Sequence, residues 1–351
     1  MLWVFFCYNY IMKFCIFCGE TPNNKNKEHV LPQWLIKLTG NPKRVVNFGD
    51  NINEDIKTFD WTSFTFPSCT FCNSKWGLLE SKIQPLIKKL FILDELNKEE
   101  TFLLLDWMDK VRIGLWLGYY YLFKNTEGIK PQFFINDRVA SQDRLLNIHV
   151  LNKSASDGIN AFGIETPIFK RQPSCFGLRI NNILLVSVSD NFLVSEFCSF
   201  TPYPKKISIS KNGLYSLSDF IYKKENANLK LDMHVGQISI AQPIHTKFKT
   251  LDWYHSTDIL NNNYISFEDK IGDIYTYRKN YYKFNSNNRI KYQEIFPENR
   301  LNIKDLIIEI YQIQIKLYFK NGIESLQDKQ TLKYLKDFNK IQIQGVESID
   351  Y

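Results

Sequence analysis

The sequence predicts an α+β protein in which a small, zinc-stapled module is followed by a larger mixed domain of antiparallel sheet and helices. Three observations lead to this prediction. Two Cys-x-x-Cys pairs lie near the start of the chain, at Cys15/Cys18 and Cys69/Cys72. Apolar residues recur at helical spacing in two later segments. Between those segments, short apolar runs alternate with turn dipeptides, a pattern typical of antiparallel strands.

The length and composition fit a packed globular protein. At 351 residues the chain can form two domains, and we place them at residues 1–95 and 96–351. Hydrophobic residues make up 44% and charged residues 23% of the sequence, which argues against general disorder. The net charge of +7 suits a polyanionic partner without proving one.

The first eleven residues are apolar but do not form a recognisable targeting segment. They lack the basic start and the small-residue cleavage site of a signal peptide, and they are too short to span a bilayer. Two interpretations remain open: a genuine first strand, or a mis-called start codon with Met12 as the true first residue. We find no membrane-length apolar stretch elsewhere in the chain either, and we predict a cytoplasmic protein with no membrane partner.

The paired cysteines predict one structural zinc site. Each pair supplies two thiolates, and a tetrahedral zinc ion takes four, which leaves no position for a catalytic water. Cys7, Cys175 and Cys198 are scattered, so a disulfide framework is not expected and the pattern suits a reducing compartment. A folded insertion must occupy the 50 residues between Cys18 and Cys69.

Local patterns predict the elements around this site. Residues 43–60 are polar and are predicted to be irregular, whereas Phe59–Phe66 alternates aromatic and hydroxyl side chains and predicts a strand. A helix is expected from Asn73 to about Leu90, with Pro85 kinking or splitting it. The capping-box pattern at Asn97–Glu100 predicts the start of a helix that runs to about Lys124.

The C-terminal region predicts a sheet followed by helices. The Asn181-Asn182 dipeptide predicts a hairpin turn, and a second turn before residue 192 predicts a strand over residues 192–197. Residues 206–224 are expected to contain one short strand and then a short helix. Helices are predicted at 304–320 and in part of 323–351.

A second group of residues lies beside the cysteines. Glu28 and His29 are adjacent in sequence, and Asn73 directly follows Cys72. A carboxylate and an amide oxygen are suitable ligands for a hard cation such as Mg²⁺, and histidine is a suitable general base near neutral pH. On a strand, Glu28 and His29 would point to opposite sides, so that the carboxylate faces the ion and the imidazole faces a water.

This arrangement resembles the zinc-containing branch of the HNH (ββα-metal) endonucleases, over residues 13 to about 90. The resemblance implies a ββα-metal fold, DNA rather than RNA as the substrate, and Mg²⁺ or Mn²⁺ as the catalytic ion. It implies His29 as general base, Glu28 and Asn73 as ligands of that ion, and the four cysteines on zinc. The chain departs from the family in having Glu28 where Asp is usual. It also has residues 63–65 where a loop asparagine is usual; Asn51 or Asn53 could replace it.

Other interpretations remain open. The module could be catalytically inactive and only bind nucleic acid or a protein partner. His29 could be a surface or core histidine, Asn73 could be only a helix cap, and Glu80 could either reach the site or face solvent. Trp34 and Trp76 are expected in the core rather than stacked on bases. Residues 96–351 would select the target, sense a signal or mediate oligomerisation, possible roles in bacterial defence against foreign DNA.

Overall fold

The computed structural model confirms an α+β protein with antiparallel sheets and helices. Residues 1–11 and the candidate loop asparagines Asn51 and Asn53 lie outside the described residues, so the interpretations placed on them stay predictions. The structure describes residues 13–22, 26–50, 52, 55–123, 129, 131, 133–151, 157–201, 203–209, 215–222, 231–244, 273–278, 280–284, 289–293, 302–320 and 329–348.

The N-terminal region consists of two small antiparallel strand pairs and two helices. In chain order they are β1 (Lys27–His29), α1 (Gln33–Leu38), β2 (Val45–Asp50), β3 (Asp55–Asp60), β4 (Thr65–Pro67) and α2 (Thr70–Phe91). Strand β1 pairs with β4, which places Glu28 opposite Phe66 and His29 opposite Thr65. Helix α2 begins three residues after β4 ends. A paired strand therefore leads almost directly into a helix, which begins near the Lys27 end of β1.

The prediction of an irregular segment over residues 43–60 is wrong, because β2 and β3 form a hairpin there. One face of this hairpin is apolar and carries Phe48, which is buried, and Phe59. The other face is exposed, which explains why the segment looks polar in sequence. The predicted strand Phe59–Phe66 is interrupted, since a 3₁₀ turn at Trp61–Ser63 separates β3 from β4.

Helix α3 (Lys98–Leu122) is buried along most of its length and lies between the N-terminal region and the larger sheet. The predicted capping box is confirmed: Asn97 Oδ1 accepts a hydrogen bond from Glu100 N, and Glu100 Oε2 accepts one from Asn97 N. A Cβ atom on Gly114 would approach Val30 to 2.8 Å. This glycine therefore allows the chain just after β1 to lie directly against α3.

The larger sheet has seven strands in the order β13-β12-β11-β5-β8-β7-β6, and each neighbouring pair is antiparallel. The predicted turn at Asn181-Asn182 is confirmed between β7 and β8, and Asn181 has a left-handed φ of 52°. The strand bounds are β5 (Asp143–Val150), β6 (Ile159–Phe162), β7 (Cys175–Ile180), β8 (Ile183–Asp190), β11 (Ile238–Gln242), β12 (Tyr275–Arg278) and β13 (Asn280–Lys283).

The remaining elements are a strand pair and five helices of the described chain. They are α4 (Ile135–Arg138), α5 (Pro167–Arg171), α6 (Leu193–Phe197), β9 (Tyr203–Ile209), β10 (Tyr215–Ile221), α7 (Ile303–Lys320) and α8 (Lys329–Ser348). The two C-terminal helices are confirmed. Helix α7 packs on the sheet so closely that a Cβ atom on Gly177 of β7 would come within 2.6 Å of Ile310.

Two predictions in this region are wrong. Residues 193–197 form helix α6 rather than a strand, since the carboxylate of Asp143 accepts hydrogen bonds from the Ser195 amide and hydroxyl groups and fixes the helix there. The predicted short helix within 206–224 is instead strand β10, which pairs with β9 along its length.

A continuous hydrophobic core joins the two halves of the chain. One cluster of buried residues extends from Phe14 in the N-terminal region to Ile290, and it includes side chains of α3 and of the larger sheet. The proposed division at residue 95 stays a prediction. The core shows that the two parts share buried surface, so the N-terminal region is supported by the rest of the protein.

Candidate metal centre

The four cysteines of the two Cys-x-x-Cys pairs meet at one point. The sulfur atoms of Cys15, Cys18, Cys69 and Cys72 all lie within 4.8 Å of one another. Cys18 Sγ and Cys69 Sγ are 3.8 Å apart. Zinc–sulfur bonds of about 2.3 Å in a tetrahedron place the sulfurs about 3.8 Å from each other. The cluster could therefore hold a metal ion such as zinc.

Two local structures bring these sulfur atoms together. The first pair lies on a tight turn, in which Gly19 N donates to Cys15 O (2.9 Å) and Gly19 adopts a φ of 80°. A Cβ atom there would collide with the Phe134 ring, so glycine is required. The second pair lies at the start of α2, where Cys69 is the cap residue and Cys72 belongs to the first turn.

The electrostatics of the cluster favour a bound cation. Burial and the neighbouring sulfur atoms of Cys15 and Cys18 raise the pKa of Cys69 to about 12. Burial alone would also raise the pKa of Cys15, but amide groups that donate to its sulfur, including that of Cys69, hold the pKa below its ordinary value. Four adjacent thiolates repel each other, and a divalent metal ion removes that penalty.

His29 is the last residue of β1 and is partly exposed. Its Nε2 atom lies 3.2 Å from the backbone oxygen of Thr62. A carbonyl oxygen only accepts hydrogen bonds, so Nε2 carries the proton and donates it to Thr62 O. This contact leaves Nδ1 as the basic nitrogen of the neutral imidazole.

The turn that supplies the Thr62 carbonyl is fixed at both ends. The Asp60 carboxylate accepts hydrogen bonds from the Ser63 amide (3.1 Å) and from the Thr62 hydroxyl group. The indole of Trp61 is buried and packs edge-on against Phe64. The loop therefore contacts the histidine through a backbone atom and has no asparagine at residues 63–65. The sequence analysis did not predict this backbone contact, although the Asp60-x-x-Ser63 spacing is typical of a turn.

Glu28 points to the other side of β1, into the protein. Its side chain is buried, and Oε1 accepts a hydrogen bond from Lys110 Nζ at 2.9 Å. The carboxylate of Glu80 contacts the same ammonium group. Although burial disfavours its charged form, these two carboxylates raise the pKa of Lys110. Lys110 is thus a cation held between two acids, and the sequence analysis did not anticipate it.

Asn73 lies in the first turn of α2 with a half-buried side chain. Glu80 follows it seven residues later, about two helical turns along the same face. The structure thus brings Glu80 and Glu28 to Lys110. Among the described residues no hydrogen bond joins the side chains of Glu28, His29 and Asn73. Their predicted roles are taken up below as proposals.

Trp34 and Trp76 belong to the core, as predicted. Trp76 is 1% exposed and stacks on Phe17 of the first cysteine turn, with ring centroids 5.6 Å apart. Its Nε1 atom donates to Asn136 Oδ1 at 2.9 Å. Trp34 is half-buried and packs against the same core. Neither ring is placed as an open stacking surface for a base.

Comparisons with known proteins give no relatives: no family model, no curated protein and no solved structure matches this chain. In the part of the chain that the structure describes, no helix has both the length and the apolar character needed to cross a membrane.

Proposed function

We propose that this protein is a metal-dependent endonuclease of the HNH (ββα-metal) type that hydrolyses phosphodiester bonds in DNA. The observation that carries the proposal is the contact between His29 Nε2 and Thr62 O, because it orients a partly exposed imidazole with its basic nitrogen available. The order of a strand carrying His29, a paired strand and a cysteine-anchored helix is consistent with the same proposal.

In the proposed reaction, His29 acts as general base. Its Nδ1 atom takes a proton from a water molecule that attacks phosphorus, and the positive charge that forms on the ring is stabilised by the hydrogen bond from Nε2 to Thr62 O. A divalent ion such as Mg²⁺ or Mn²⁺, bound by Asn73 and Glu28, would stabilise the negative charge on the phosphorane and on the leaving 3′ oxygen.

The described residues fit the structural zinc well and the second ion less well. Four converging thiols match the ligand set of structural zinc. Glu28, in contrast, is already paired with Lys110, so the ammonium group competes with any divalent ion for this carboxylate. In this proposal Asn73 is the ligand for which no ammonium group competes. Glu28 would have to bind the ion while its carboxylate also remains paired with Lys110.

The paired state of Glu28 favours a second candidate function, a catalytically inactive zinc module that binds nucleic acid or a protein partner. The net charge of +7 suits DNA binding under either proposal, with RNA the less favoured polymer. In both cases residues 96–351 would select the target, sense a signal or mediate oligomerisation, for example in bacterial defence.

A nicking assay tests the first proposal. Zinc-loaded wild-type protein is incubated with supercoiled plasmid, with and without added Mg²⁺ or Mn²⁺, beside His29→Ala. His234→Ala is the matched control, since it removes a histidine that bonds to Glu309 outside the candidate site. We expect ion-dependent nicking by wild type and His234→Ala only. Equal nicking by wild type and His29→Ala would count against the proposed enzyme, and DNA retardation in a gel without any nicking would favour the inactive module.

A further inference from the structure

A cavity of about 450 Å³ lies between the β2–β3 hairpin, strand β6 and helices α7 and α8. We propose that it is a binding site for a small organic cation, with the carboxylate of Glu165 as the counter-ion. The volume lies in the range of small-molecule sites, about 300–1,000 Å³. Voids in well-packed cores are rarely much larger than a water molecule. This inference does not depend on the proposed nuclease activity.

The walls of the cavity are aromatic and apolar. On the N-terminal side they include Phe48, Trp61 and Tyr119, and the rings of Phe48 and Tyr119 lie 4.5 Å apart between centroids. On the opposite side they include Ile164 and Ile307, both buried. These surfaces favour a ligand with an apolar body, and ring faces also attract a positive charge.

Glu165 supplies the polar recognition. The Tyr311 hydroxyl group donates to Glu165 Oε1 at 2.5 Å, which fixes the carboxyl group at the cavity wall. A carboxylate has about four acceptor positions, so it can accept further hydrogen bonds from a ligand. None of the described lining residues is a lysine or an arginine. Lys170, whose amine lies 4.9 Å from the centre of the Tyr119 ring, is not among the residues that line the cavity.

The pKa of Glu165 is consistent with the absence of lysine and arginine from the described lining residues. Burial raises the pKa of the Glu165 carboxyl, and hydrogen bonds from Tyr311 and from the backbone, together with the charge of Lys170, offset this only in part. An ammonium group within hydrogen-bond distance would lower that pKa and favour the ionised form. An anionic ligand would meet a carboxylate with no compensating cation on the wall. The charge distribution therefore selects cations over anions.

The test compares three probes that share a phenyl-ethyl body and differ in charge: phenethylammonium, 2-phenylethanol and 3-phenylpropionate. Each is titrated into full-length, zinc-loaded protein at pH 7.5 by isothermal titration calorimetry. We expect phenethylammonium to bind with a Kd about tenfold or more below that of the alcohol, since charge-assisted hydrogen bonds are the stronger class. The propionate should bind most weakly.

Two variants locate the effect. Glu165→Gln keeps the shape of the side chain and should abolish the preference for the cation, whereas Glu347→Gln removes an exposed acid from α8 and should leave it unchanged. Alcohol binding as tight as that of the cation, no binding of the cation, or unaltered cation affinity in Glu165→Gln would each overturn the proposal. The ranking of the probes in wild type decides the matter even if the variant folds poorly.

Discussion

Different interactions stabilise the N-terminal region and the seven-stranded sheet. Strands β1 and β4 pair over only three residues, whereas β5 and β8 pair over eight. An isolated two-stranded pair is at best marginally stable in water, and a broad sheet with a packed face is stable by itself. The candidate site therefore depends on its surroundings more than the sheet does.

Helix α3 serves both regions through buried charges. Toward the N-terminal region, Lys110 pairs with Glu28 of β1 and Glu80 of α2. Toward the sheet, Asp106 and Arg144 form an ion pair at 2.5 Å. Each set contains charges that would be costly to leave alone in the interior. The β1–β4 strand pair that carries His29 is thus fixed by two attachments, the cysteine cluster and Lys110, and each can be removed separately.

Removal of the metal should have the largest effect. In Cys72→Ser we expect loss of bound zinc and of several kcal/mol of stability, because small metal-stapled structures are often unfolded without their ion. Hydrogen exchange should show loss of protection in β1, β4 and the start of α2, with protection retained in β5 and β8. The control is Cys198→Ser, which lies far from the cluster in sequence. Zinc retained at one equivalent by Cys72→Ser would contradict the assignment.

Removal of Lys110 tests the second attachment. Lys110→Met leaves Glu28 and Glu80 buried without a partner, and breaking a buried ion pair in this way costs about 3–5 kcal/mol. Urea unfolding at pH 7 measures the loss. The triple variant with Glu28→Gln and Glu80→Gln removes the uncompensated charge and should regain most of the stability. If the single variant were as stable as wild type, the ion pairs would not hold β1 in place.

An acid titration tests the stability of the larger sheet, separately from the metal cluster. Burial of His149 on β5, together with the nearby His234, lowers the pKa of His149 to about 4. A base with a depressed pKa contributes stability that is complete above the unfolded value of about 6.5 and is lost as the pH falls toward 4. The loss amounts to about 3 kcal/mol.

The readout is the difference between wild type and His149→Gln, measured by urea unfolding at several pH values from 7 to 4. Acid also weakens metal binding, but it does so in both proteins. The difference should therefore shift in favour of the variant as the pH falls. A difference that does not change with pH would show that His149 is not buried in its neutral form.

The smallest effect on stability is expected at the exposed turn that contacts His29. Asp60→Ala removes the acceptor for the Ser63 amide and the Thr62 hydroxyl group, whereas Asp60→Asn keeps an acceptor oxygen. We expect little change in melting temperature for either. Under the proposed function, nicking by Asp60→Ala should fall about tenfold, since slight misplacement of a catalytic group can cost up to about 10²-fold. Equal nicking by wild type, Asp60→Ala and Asp60→Asn would show that the turn does not contribute to catalysis.

Features encoded by residue type at short range could be predicted from the sequence. The cysteine spacing indicates the metal cluster, the Asn97–Glu100 pattern indicates the start of α3, and Asn181-Asn182 indicates a hairpin. Each prediction rests on a local geometric requirement that only a few residue types meet. The identity of the ions and of the substrate lies beyond such local rules.

The missed features depend on distant partners or on backbone atoms. Lys110 lies 82 residues from Glu28, and nothing near it in sequence indicates that pairing. The β2–β3 hairpin looks irregular in sequence because half of its side chains face solvent. The group that orients His29 is the carbonyl of Thr62, which any residue could supply. The resemblance to a motif with a loop asparagine leads one to look for a side chain that contacts His29. In this chain the contact is made by a backbone carbonyl.

Under the proposed function, His29 performs chemistry and is more than a residue at the end of a strand. The most direct measurement is the initial rate of Mn²⁺-supported plasmid nicking by zinc-loaded His29→Ala relative to wild type, at equal melting temperature. General-base catalysis predicts a fall of about 10²–10⁴-fold. A rate for His29→Ala equal to that of wild type would contradict the claim.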